Sequence, residues 1–451
     1  MTTGFGFRSY LSIVLFSFSI LCITYRFTNE NNSLIVVPAL QESIVFVIEL
    51  NDILVDHYPH ASVSSRGKGS QCCVPVKEQR MAPAQGEDYH RYASSLSSDA
   101  DPQLYVLSAH FDVKRNVVDI VGAALRLRLF RPVCVFVTDD QRDTRTISGS
   151  VQSLHVPNGR KYQELAVHCP LTHPHMSPAF LRLPPSTPTA TARKIPVQYP
   201  AKEYHNVTVC YPAGHSGYSR SDEFVQSMTI NRILGADKAF WYNHSISASM
   251  RPAVDYFIRC GQLEIISARM PEVLRKDIDY FGQIVNMHDC FYRNRYTSKY
   301  IVLQDMDEVM LPHKDPNWLT LFERVKSTDS KIGSFAFKNS FFTESKGHVK
   351  STVKHGYIKM LSEFFHGRIF PYYVRSKYIV IPDTINILEV HGPCHKQGFV
   401  HKVLDVSDGM LHHYRFQGDD KYIQEDKSIM RFSSELKNQI NTTWHCIENS
   451  E

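Results

Sequence analysis

The sequence lacks an excess of either charge. Its 451 residues carry 50 basic and 45 acidic side chains, a net charge of +5 with histidine neutral, and no long run of one sign. Nucleic-acid-binding chains usually concentrate basic residues, so this class of function has little support and no nucleic-acid partner is expected. Hydrophobic residues make up 43% and charged residues 21% of the chain, fractions that exclude a mainly disordered protein.

Long hydrophobic runs are also scarce, and the sharpest one lies at the start. Residues 9–25 carry no charge and are bounded by Arg8 and Arg26. A membrane span needs roughly 17–25 apolar residues, a range that includes this stretch. A cleaved signal peptide is the alternative, but no small-x-small cleavage site follows the run. We therefore predict a retained single-pass anchor within residues 1–26.

The residues beyond the anchor indicate the side of the membrane. Nine of the ten cysteines lie there, together with four N-glycosylation sequons at Asn31, Asn206, Asn243 and Asn441. Both features suit the oxidising lumen, so we expect a type II protein with its folded part lumenal. A short anchor suits the thinner early secretory membranes, which favours the Golgi or another secretory-pathway membrane. The pairing of the cysteines cannot be read from the sequence.

The sequence has no complete zinc motif. Cys169, His173 and His175 have loosely zinc-like spacing, but no second pair of ligands completes a site. This spacing favours a loop with partly exposed histidines.

Composition divides the rest of the chain into three regions. Residues 27–101 are polar and rich in turn formers, which indicates a linker. Residues 102–203 contain short β-type runs separated by polar and proline-rich segments, which indicate a small β-rich accessory region. Residues 204–451 follow a different pattern and form the predicted catalytic domain.

From residue 204 onward, strand-like and helix-like segments alternate. The predicted strands are 207–211, 239–242, 263–267 and 300–304, and the predicted helices are 222–234, a segment near 253–260, and 276–293. Such alternation is typical of an α/β fold in which right-handed crossovers build a mainly parallel sheet with helices on both faces. Ligands on such a sheet bind at the carboxyl ends of the strands.

The segment that leaves the fourth of these strands is acidic. Asp305 and Asp307 are one residue apart, and Glu308 follows. A turn here directs both aspartates toward one point, where carboxylate oxygens suit Mn²⁺ or Mg²⁺. Such a metal bridges the two phosphates of a nucleoside diphosphate and stabilises the charge of the departing group. An isolated D-x-D is usually a solvated turn, but the apolar strand directly before it favours a metal site.

Five segments together carry a family resemblance. They are SAHFDVKR (108–115), VCYPAG (209–214), INRILGADKAFWYN (230–243), HDCFYRNRYTSKYIVLQDMDEVMLP (288–312) and HGP (391–393). With them the chain resembles the metazoan glycosyltransferases of family 92. The resemblance implies a GT-A fold and a metal-dependent, inverting transfer of galactose from UDP-galactose to a glycan or glycoprotein acceptor. His110, in the first segment, stands where we expect an aromatic residue.

Carried over residue by residue, the resemblance implies a metal and nucleotide motif at Asp305 and Asp307 and a further metal ligand at His391. His412 and His413 can also approach the metal from the C-terminal side, although surface or core positions are commoner for such histidines.

The resemblance also implies contacts to the nucleotide-sugar. Tyr211 and Pro212, at the end of the first strand, are expected beside the base or ribose. Asp289 and Arg293 are spaced i and i+4 on the helix before the metal strand. In one interpretation they contact the donor sugar and phosphate, and in the other they form an ordinary ion pair on a helix.

An inverting transfer needs one carboxylate to take the proton of the acceptor hydroxyl. Glu363 is predicted as this base, because the aromatic residues around it can stack on a sugar. Glu344, Asp383 and Asp408 remain alternatives.

Two other functions stay open. A metal-dependent hydrolase would need a nucleophile or a second metal cluster, and the sequence shows neither as a compact motif. A catalytically inactive, membrane-anchored carbohydrate-binding or adhesion protein is the other. Binding of a nucleotide-sugar separates that protein from a transferase.

Overall fold

A computed structural model of the chain describes residues 24–28, 34–38, 90–93, 103–125, 132–137, 143–155, 159–171, 177–182, 194–343, 351–353, 356–415 and 424–449. The chain divides into two compact units, Met1–Ser70 and Gln71–Glu451. In the first unit, strands β1 (Thr24–Thr28) and β2 (Leu34–Pro38) pair as an antiparallel hairpin.

The predicted anchor, residues 9–25, lies outside the described residues except for its last two, which begin β1. Across the part of the chain that the structure describes, no helix combines the length and the apolar character that a membrane span needs. Most of the predicted linker, residues 27–101, also lies outside the described residues.

The second unit begins with nine strands that form one sheet. They are β3 (His90–Ala93), β4 (Gln103–Asp112), β5 (Val117–Leu125), β6 (Val133–Val137), β7 (Asp143–Ser148), β8 (Ser150–Ser153), β9 (Tyr162–Pro170), β10 (Phe180–Arg182) and β11 (Lys194–Gln198). Their order is β7-β6-β10-β11-β4-β5-β9-β8, and β3 pairs with β4. We call this the accessory sheet. Eight of these strands lie in residues 102–203, the predicted β-rich region, whereas β3 lies within the predicted linker.

Close backbone approach shapes the middle of the accessory sheet. A Cβ atom added to Gly122 on β5 would lie 2.1 Å from the carbonyl oxygen of Tyr105 on β4. The register of the two strands shifts between Val106 and Ser108. Only glycine fits at this bulge. A disulfide between Cys134 and Cys169 joins β6 to β9.

The next segment has the predicted alternation of strands and helices. Its elements are β12 (His205–Gly214), α1 (Ser221–Ile233), β13 (Lys238–Asn243), α2 (Arg251–Arg259), β14 (Leu263–Ser267), α3 (Glu272–Lys276), α4 (Gln283–Asn294) and β15 (Ser298–Leu303). Strand β12 pairs in parallel with both β13 and β15, and β13 pairs in parallel with β14. The four predicted strands and the first two predicted helices are therefore confirmed.

The predicted helix 276–293 was too long. The chain leaves the helical conformation between α3 and α4, where Tyr280, Phe281 and Gly282 all have positive φ values of 43°, 55° and 69°. Left-handed residues cannot continue a right-handed helix, so α4 begins only at Gln283. The Phe281 ring stacks on His215 at the end of β12, with ring centroids 4.2 Å apart. This tertiary contact could not be read from local periodicity.

The rest of the chain completes two sheets. Its strands are β16 (Glu308–Pro312), β17 (Ile332–Phe337), β18 (Asn339–Thr343), β19 (Thr352–Val353), β20 (Gly356–Tyr357), β21 (Phe365–His366), β22 (Lys377–Val380), β23 (Ile385–Leu388), β24 (Pro393–His395), β25 (Val400–Val403), β26 (Gly409–His413) and β27 (Gln424–Glu425). Its helices are α5 (Trp318–Lys326), α6 (Lys359–Ser362) and α7 (Ser433–Glu448). Short 3₁₀ turns occur at Ala248–Met250, Pro382–Thr384 and Ser428–Phe432.

The larger of these sheets, the main sheet, has the order β14-β13-β12-β15-β22-β17-β25. Strand β22 runs antiparallel to both of its neighbours, and the other pairings are parallel. The prediction of a mainly parallel sheet is therefore confirmed. The smaller sheet, the second sheet, has the order β16-β26-β18-β21-β27. The chain passes from the main sheet to the second sheet through the short segment between β15 and β16.

Helix α4 lies between the main sheet and the accessory sheet. Buried side chains of the accessory sheet, among them Tyr105 and Tyr162, share one apolar core with Phe291 on α4 and Ile301 on β15. A disulfide between Cys210 on β12 and Cys290 fixes α4 to the main sheet. On the opposite face, α1, α2 and α7 contribute to a second core. Both faces of the main sheet are therefore covered, as in other α/β folds.

A buried ionic network also joins α4 to the accessory sheet. The Arg295 guanidinium, just after α4, lies 2.9 Å from Asp112 and 2.5 Å from Asp119. Asp119 also accepts hydrogen bonds from Arg115 and from Nδ1 of His168. Burial alone would raise the pKa of Asp119, but His168 and the two guanidinium groups outweigh that effect and lower the pKa. Two buried carboxylates thus remain charged because cations surround them.

One acidic side chain of the accessory sheet lacks such compensation. Glu164 on β9 is fully buried, and neither of its carboxylate oxygens has a hydrogen-bond partner among the described residues. Burial raises the pKa of Glu164 to about 8. An unfolded glutamate has a pKa near about 4.3, so the folded state is favoured while Glu164 is protonated. This contribution is complete below the unfolded pKa and is lost as the pH rises toward 8.

We therefore expect Glu164→Gln to stabilise the protein at alkaline pH. The substitution removes the charge, so at pH 9 the unfolding free energy of the variant should exceed that of the parent by on the order of 2 kcal/mol. The variant should therefore unfold at a higher temperature than the parent. At about pH 5 the difference should be much smaller. Thermal unfolding at both pH values, with the exposed Glu203→Gln as control, measures it. Equal differences at the two pH values would contradict the assignment.

Candidate active site

The acidic segment predicted from the sequence lies where the main sheet meets the second sheet. Strand β15 ends at Leu303, and β16 begins at Glu308. Between them the N–H of Asp305 donates to Oε2 of Glu308 at 2.8 Å, and the N–H of Glu308 donates to the carbonyl oxygen of Asp305 at 3.3 Å. These bonds close the segment into a turn at the carboxyl end of β15. We call residues 305–308 the acidic turn.

The three acidic side chains of the turn differ in exposure. Asp305 is 33% exposed and Asp307 is 21% exposed, whereas Glu308 is 2% exposed. Burial raises the pKa of Glu308 to about 7, against the opposing charge of Lys377. The two aspartates are therefore accessible to a ligand. Glu308 is buried and stabilises the turn through its hydrogen bond with the Asp305 N–H.

The ammonium group of Lys377 and the imidazole of His413 lie beside these carboxylates. Nζ of Lys377, at the start of β22, lies 2.9 Å from Oδ2 of Asp305 and 3.5 Å from Oε2 of Glu308. Nε2 of His413 lies 3.5 Å from Oδ2 of Asp307, and its Nδ1 lies 3.4 Å from Oε1 of Glu308. The register of β16 and β26, in which Glu308 is opposite His413, places this imidazole. Burial would raise the pKa of Asp307, but the His413 hydrogen bond outweighs it and lowers the pKa.

The donor set fits a divalent cation. Asp305 and Asp307 supply carboxylate oxygens, and His413 adds an imidazole whose Nε2 lies 3.5 Å from Oδ2 of Asp307. Carboxylates with a single imidazole suit Mn²⁺ and also accept Mg²⁺. The same turn lies at the carboxyl end of a parallel strand, the position at which α/β sheets bind ligands.

Comparison with known proteins agrees with this geometry. The sequence model of glycosyltransferase family 92 matches residues 205–450, which is more than half of the chain. The protein belongs to glycosyltransferase family 92. The matched range begins at the first residue of β12, includes the acidic turn and His413, and extends past the end of α7.

Individual relatives are distant. The β-1,4-galactosyltransferase galt-1 of Caenorhabditis elegans is 23% identical over 236 residues, which are 50% of this chain and 51% of that protein. The chain thus spans about half the length of the curated relative that it matches.

Likenesses to solved structures are weak. The crystal structure of S. aureus TarS 1–349 is 10% identical with a TM-score of 0.26, over 46% of this chain and 60% of that one. Apo UDP-glucose pyrophosphorylase is 8% identical with a TM-score of 0.20, over 55% of this chain and 100% of that one. At such scores neither likeness carries an argument.

His391, the further metal ligand predicted from the sequence, lies in the segment after β23. Its Nδ1 is 3.1 Å from the carbonyl oxygen of Ser376, directly before Lys377. Burial lowers the pKa of His391; the charge of Lys377 lowers it further, and the charge of Asp305 opposes this. The ring is therefore close to the acidic turn, and its role as a ligand in this family 92 protein stays a prediction.

Tyr211, predicted beside the base or ribose, is buried in the structure. It is 1% exposed, and its hydroxyl lies 3.0 Å from the Ser227 hydroxyl and accepts a hydrogen bond from Asn231 at 2.6 Å. Both partners lie on α1, so the Tyr211 hydroxyl is used between β12 and its crossover helix, and the predicted contact to the nucleotide stays a prediction. Pro212, the next residue, is half-buried, and its predicted contact stays a prediction.

Asp289 and Arg293 form the ion pair that was the alternative to donor binding. The Arg293 guanidinium lies 3.2 Å from Asp289, which is fully buried. Asp289 also contacts Nε2 of His110 at 2.8 Å and accepts a hydrogen bond from the Tyr242 hydroxyl. These partners come from the accessory sheet and from β13, so the pair joins structural elements. His110, unexpected in the first sequence segment, takes part in this network.

Glu363, the predicted base, ends α6 and is buried. Burial, with smaller contributions from the charges of Asp426 and Glu363, raises the pKa of Tyr414, whose backbone N–H donates to the carbonyl oxygen of Asp307 at 2.9 Å. Tyr414 therefore lies between Glu363 and the acidic turn. The catalytic role of Glu363 stays a prediction.

The three alternative bases, Glu344, Asp383 and Asp408, have different surroundings. Glu344 lies outside the described residues. Asp383 forms an exposed ion pair with Lys114 at 2.7 Å, and Asp408 lies 3.0 Å from both Lys314 and Arg324. Cations already compensate these two carboxylates.

Sequence reasoning missed several groups near the acidic turn. Lys377 gave no local signal, and His413 was considered without being chosen. Glu223 in the first turn of α1 was also missed: its carboxylate accepts a hydrogen bond from Tyr218 at 2.9 Å, and the charge of Asp307 helps to raise its pKa, chiefly raised by burial. The paired histidines at the end of a strand-like run were the one signal available.

The four sequons also differ in the fold. Asn31 lies outside the described residues, Asn206 is half-buried on β12, and Asn441 is exposed on α7. Asn243 is buried, and its side-chain oxygen accepts the Ile246 N–H at 3.0 Å. Glycosylation at Asn243 stays a prediction.

Proposed function

We propose that this protein is a metal-dependent, inverting glycosyltransferase that moves galactose from UDP-galactose to a glycan or glycoprotein acceptor. The observation that carries the proposal is the acidic turn, in which Asp307 lies beside His413 and Asp305 is two residues away in the same turn, in a chain of glycosyltransferase family 92. The galactose donor is supported by the name of the distant C. elegans relative.

The residues divide the work of the proposed reaction. A Mn²⁺ or Mg²⁺ ion held by Asp305, Asp307 and His413 would offset the charge of the departing diphosphate. Lys377 holds the Asp305 carboxylate, and Glu308 fixes the turn through the Asp305 N–H. Glu363 is proposed to take the proton from the acceptor hydroxyl.

We also propose a lumenal location in the Golgi or another secretory-pathway membrane, with the N-terminal segment as anchor. Disulfides support an oxidising compartment, because such bonds are rare in the cytosol. Two join Cys134 to Cys169 and Cys210 to Cys290.

Calorimetric titration of the full chain with UDP and UDP-galactose tests the proposal. We expect both to bind in Mn²⁺ and neither to bind in EDTA, because the metal links the carboxylates to the diphosphate. Incubation with a panel of glycans should then yield galactosylated product.

The same experiment separates the alternatives. A hydrolase would release free galactose without an acceptor, and an adhesion protein would bind glycans without affinity for UDP. Absence of UDP binding in Mn²⁺, from a protein whose unfolding remains cooperative, would contradict the transferase proposal.

A further inference from the structure

Three side chains of the second sheet converge away from the acidic turn. His313 directly follows β16, His412 lies in β26, and Asp426 directly follows β27. Oδ2 of Asp426 is 3.6 Å from Nε2 of His412 and 3.7 Å from Nε2 of His313. The three atoms all lie within 4.8 Å of one another. Residues distant in sequence thus direct two nitrogens and one oxygen to a common point.

The two imidazole nitrogens at this point are unused. Neither Nε2 of His412 nor Nε2 of His313 has a hydrogen-bond partner among the described residues, and the His412 side chain is fully buried. Separations of 3.6 and 3.7 Å are too long for hydrogen bonds to Asp426. Buried polar atoms normally have partners, because an unpartnered one loses its hydrogen bonds to water without replacement. A cation bound between the three side chains would satisfy both nitrogens.

Two of the three side chains, Asp426 and His412, are held in place by their other atoms. Oδ1 of Asp426 accepts the Ser428 N–H at 2.8 Å, which leaves Oδ2 facing the histidines. The His412 ring stacks on Phe342 with centroids 3.9 Å apart, and its Nδ1 lies 3.3 Å from the Tyr414 hydroxyl. Contacts of this kind orient ligands around a metal.

The distances suit a small tetrahedral ion. Zinc binds histidine nitrogen and carboxylate oxygen at about 2.0–2.2 Å, so two ligands of one tetrahedral ion lie about 3.3 Å apart. The observed separations of 3.6 and 3.7 Å are within a few tenths of an ångström of that value. Two imidazoles and one carboxylate are also ligands that zinc prefers.

We propose that His313, His412 and Asp426 bind a zinc ion, separate from the cation of the acidic turn. Successive residues of a strand point to opposite faces, so His412 and His413 serve two sites on the two sides of β26. The zinc ion joins the end of β16, β26 and the segment that leads into α7. It thereby stabilises the strand that presents His413, without contact to the nucleotide-sugar.

Metal content of the full chain tests this proposal. The protein is stripped with chelator and reloaded with Zn²⁺, its zinc is measured by mass spectrometry, and affinity is measured by competition with a chromogenic chelator. We expect one zinc ion per chain in the parent. Asp426→Asn and His313→Gln should each weaken zinc binding by at least about 10–100-fold, because each removes a ligand.

Asp307→Asn is the matched control, since it changes a carboxylate of the acidic turn and should retain the zinc. Co²⁺ in place of Zn²⁺ should give visible absorption bands in the parent and in Asp307→Asn that disappear in Asp426→Asn. Circular dichroism checks the fold of each variant. If Asp426→Asn does not fold, His313→Gln provides the same test at a partly exposed side chain. Parent protein without zinc, or variants with the affinity of the parent, would overturn the proposal. UDP binding in Mn²⁺ is measured separately, so failure of one site does not imply failure of the other.

Discussion

Asp307→Asn is expected to lower kcat/KM for sugar transfer by about 10³-fold, because a metal ion supplies several kcal/mol of charge stabilisation and each 1.36 kcal/mol is tenfold in rate. Asparagine keeps the size of the side chain but loses the charge that holds the cation. Mn²⁺-dependent binding of UDP should be lost together with turnover. Calorimetry and a transfer assay on the same preparation measure both.

The control for this variant is Asp329→Asn, which makes the same chemical change at an exposed residue beyond α5. It should leave UDP binding and turnover unchanged. Asp307→Asn should also unfold at nearly the temperature of the parent, because the side chain is partly exposed and its backbone bond to Tyr414 remains. If the variant binds UDP in Mn²⁺ as tightly as the parent, the acidic turn is not the metal site.

Local patterns were sufficient to predict the first half of the main sheet. The run LEIIS predicted β14 at Leu263–Ser267, and YIVLQ predicted β15 to within two residues. Both are short apolar runs between polar segments, although β13 and β12 separate the two strands in the sheet. The acidic turn could be placed from sequence for the same reason, since it directly follows β15.

Groups that reach the acidic turn from distant strands could not be predicted in this way. Lys377 is 72 residues away from Asp305 in sequence and arrives through the antiparallel pairing of β22 with β15. His413 arrives through the pairing of β26 with β16. Neither pairing has a local signature, because it depends on the course of the intervening chain.

Tyr211 shows a different limit. The first strand was predicted to end at Tyr211, but β12 continues to Gly214, and the direction of the Tyr211 side chain could not be read from the sequence. Successive residues of a strand face opposite sides of the sheet, so an error of one residue exchanges a core position for an exposed one. Two hydrogen-bonding residues on α1, Ser227 and Asn231, decide the direction by satisfying the Tyr211 hydroxyl in the core.

The contact between α4 and the accessory sheet links stability to the active site. Helix α4 is covalently joined to β12 by the Cys210–Cys290 disulfide, and its first residue, Gln283, lies 3.4 Å from Oδ1 of Asp305. The opposite end of the helix leads to Arg295 and its buried carboxylates. Loss of the ion pairs between Arg295 and the accessory sheet should therefore destabilise the whole unit rather than a peripheral part.

Arg295→Met is expected to lower the free energy of unfolding by about 3–5 kcal/mol, the range for removing one partner of a buried ion pair. Arg295 is 9% exposed, and its loss leaves Asp112 and Asp119 buried with less compensation. Methionine keeps much of the side chain's apolar length, so the effect reports on charge more than on packing. Urea unfolding at neutral pH measures the change.

The control is Arg275→Met, which removes a surface arginine paired with Glu272 and should change stability little. The pH dependence provides a second check. The folded-state pKa values of Asp112 and Asp119 are lowered, so their stabilising contribution is present above the unfolded pKa of about 3.9 and is lost as the pH falls below it. The difference between parent and Arg295→Met should therefore shrink as the carboxylates become protonated. A difference that stays constant between neutral pH and about pH 3 would mean that lost packing, not the buried ion pairs, accounts for the destabilisation.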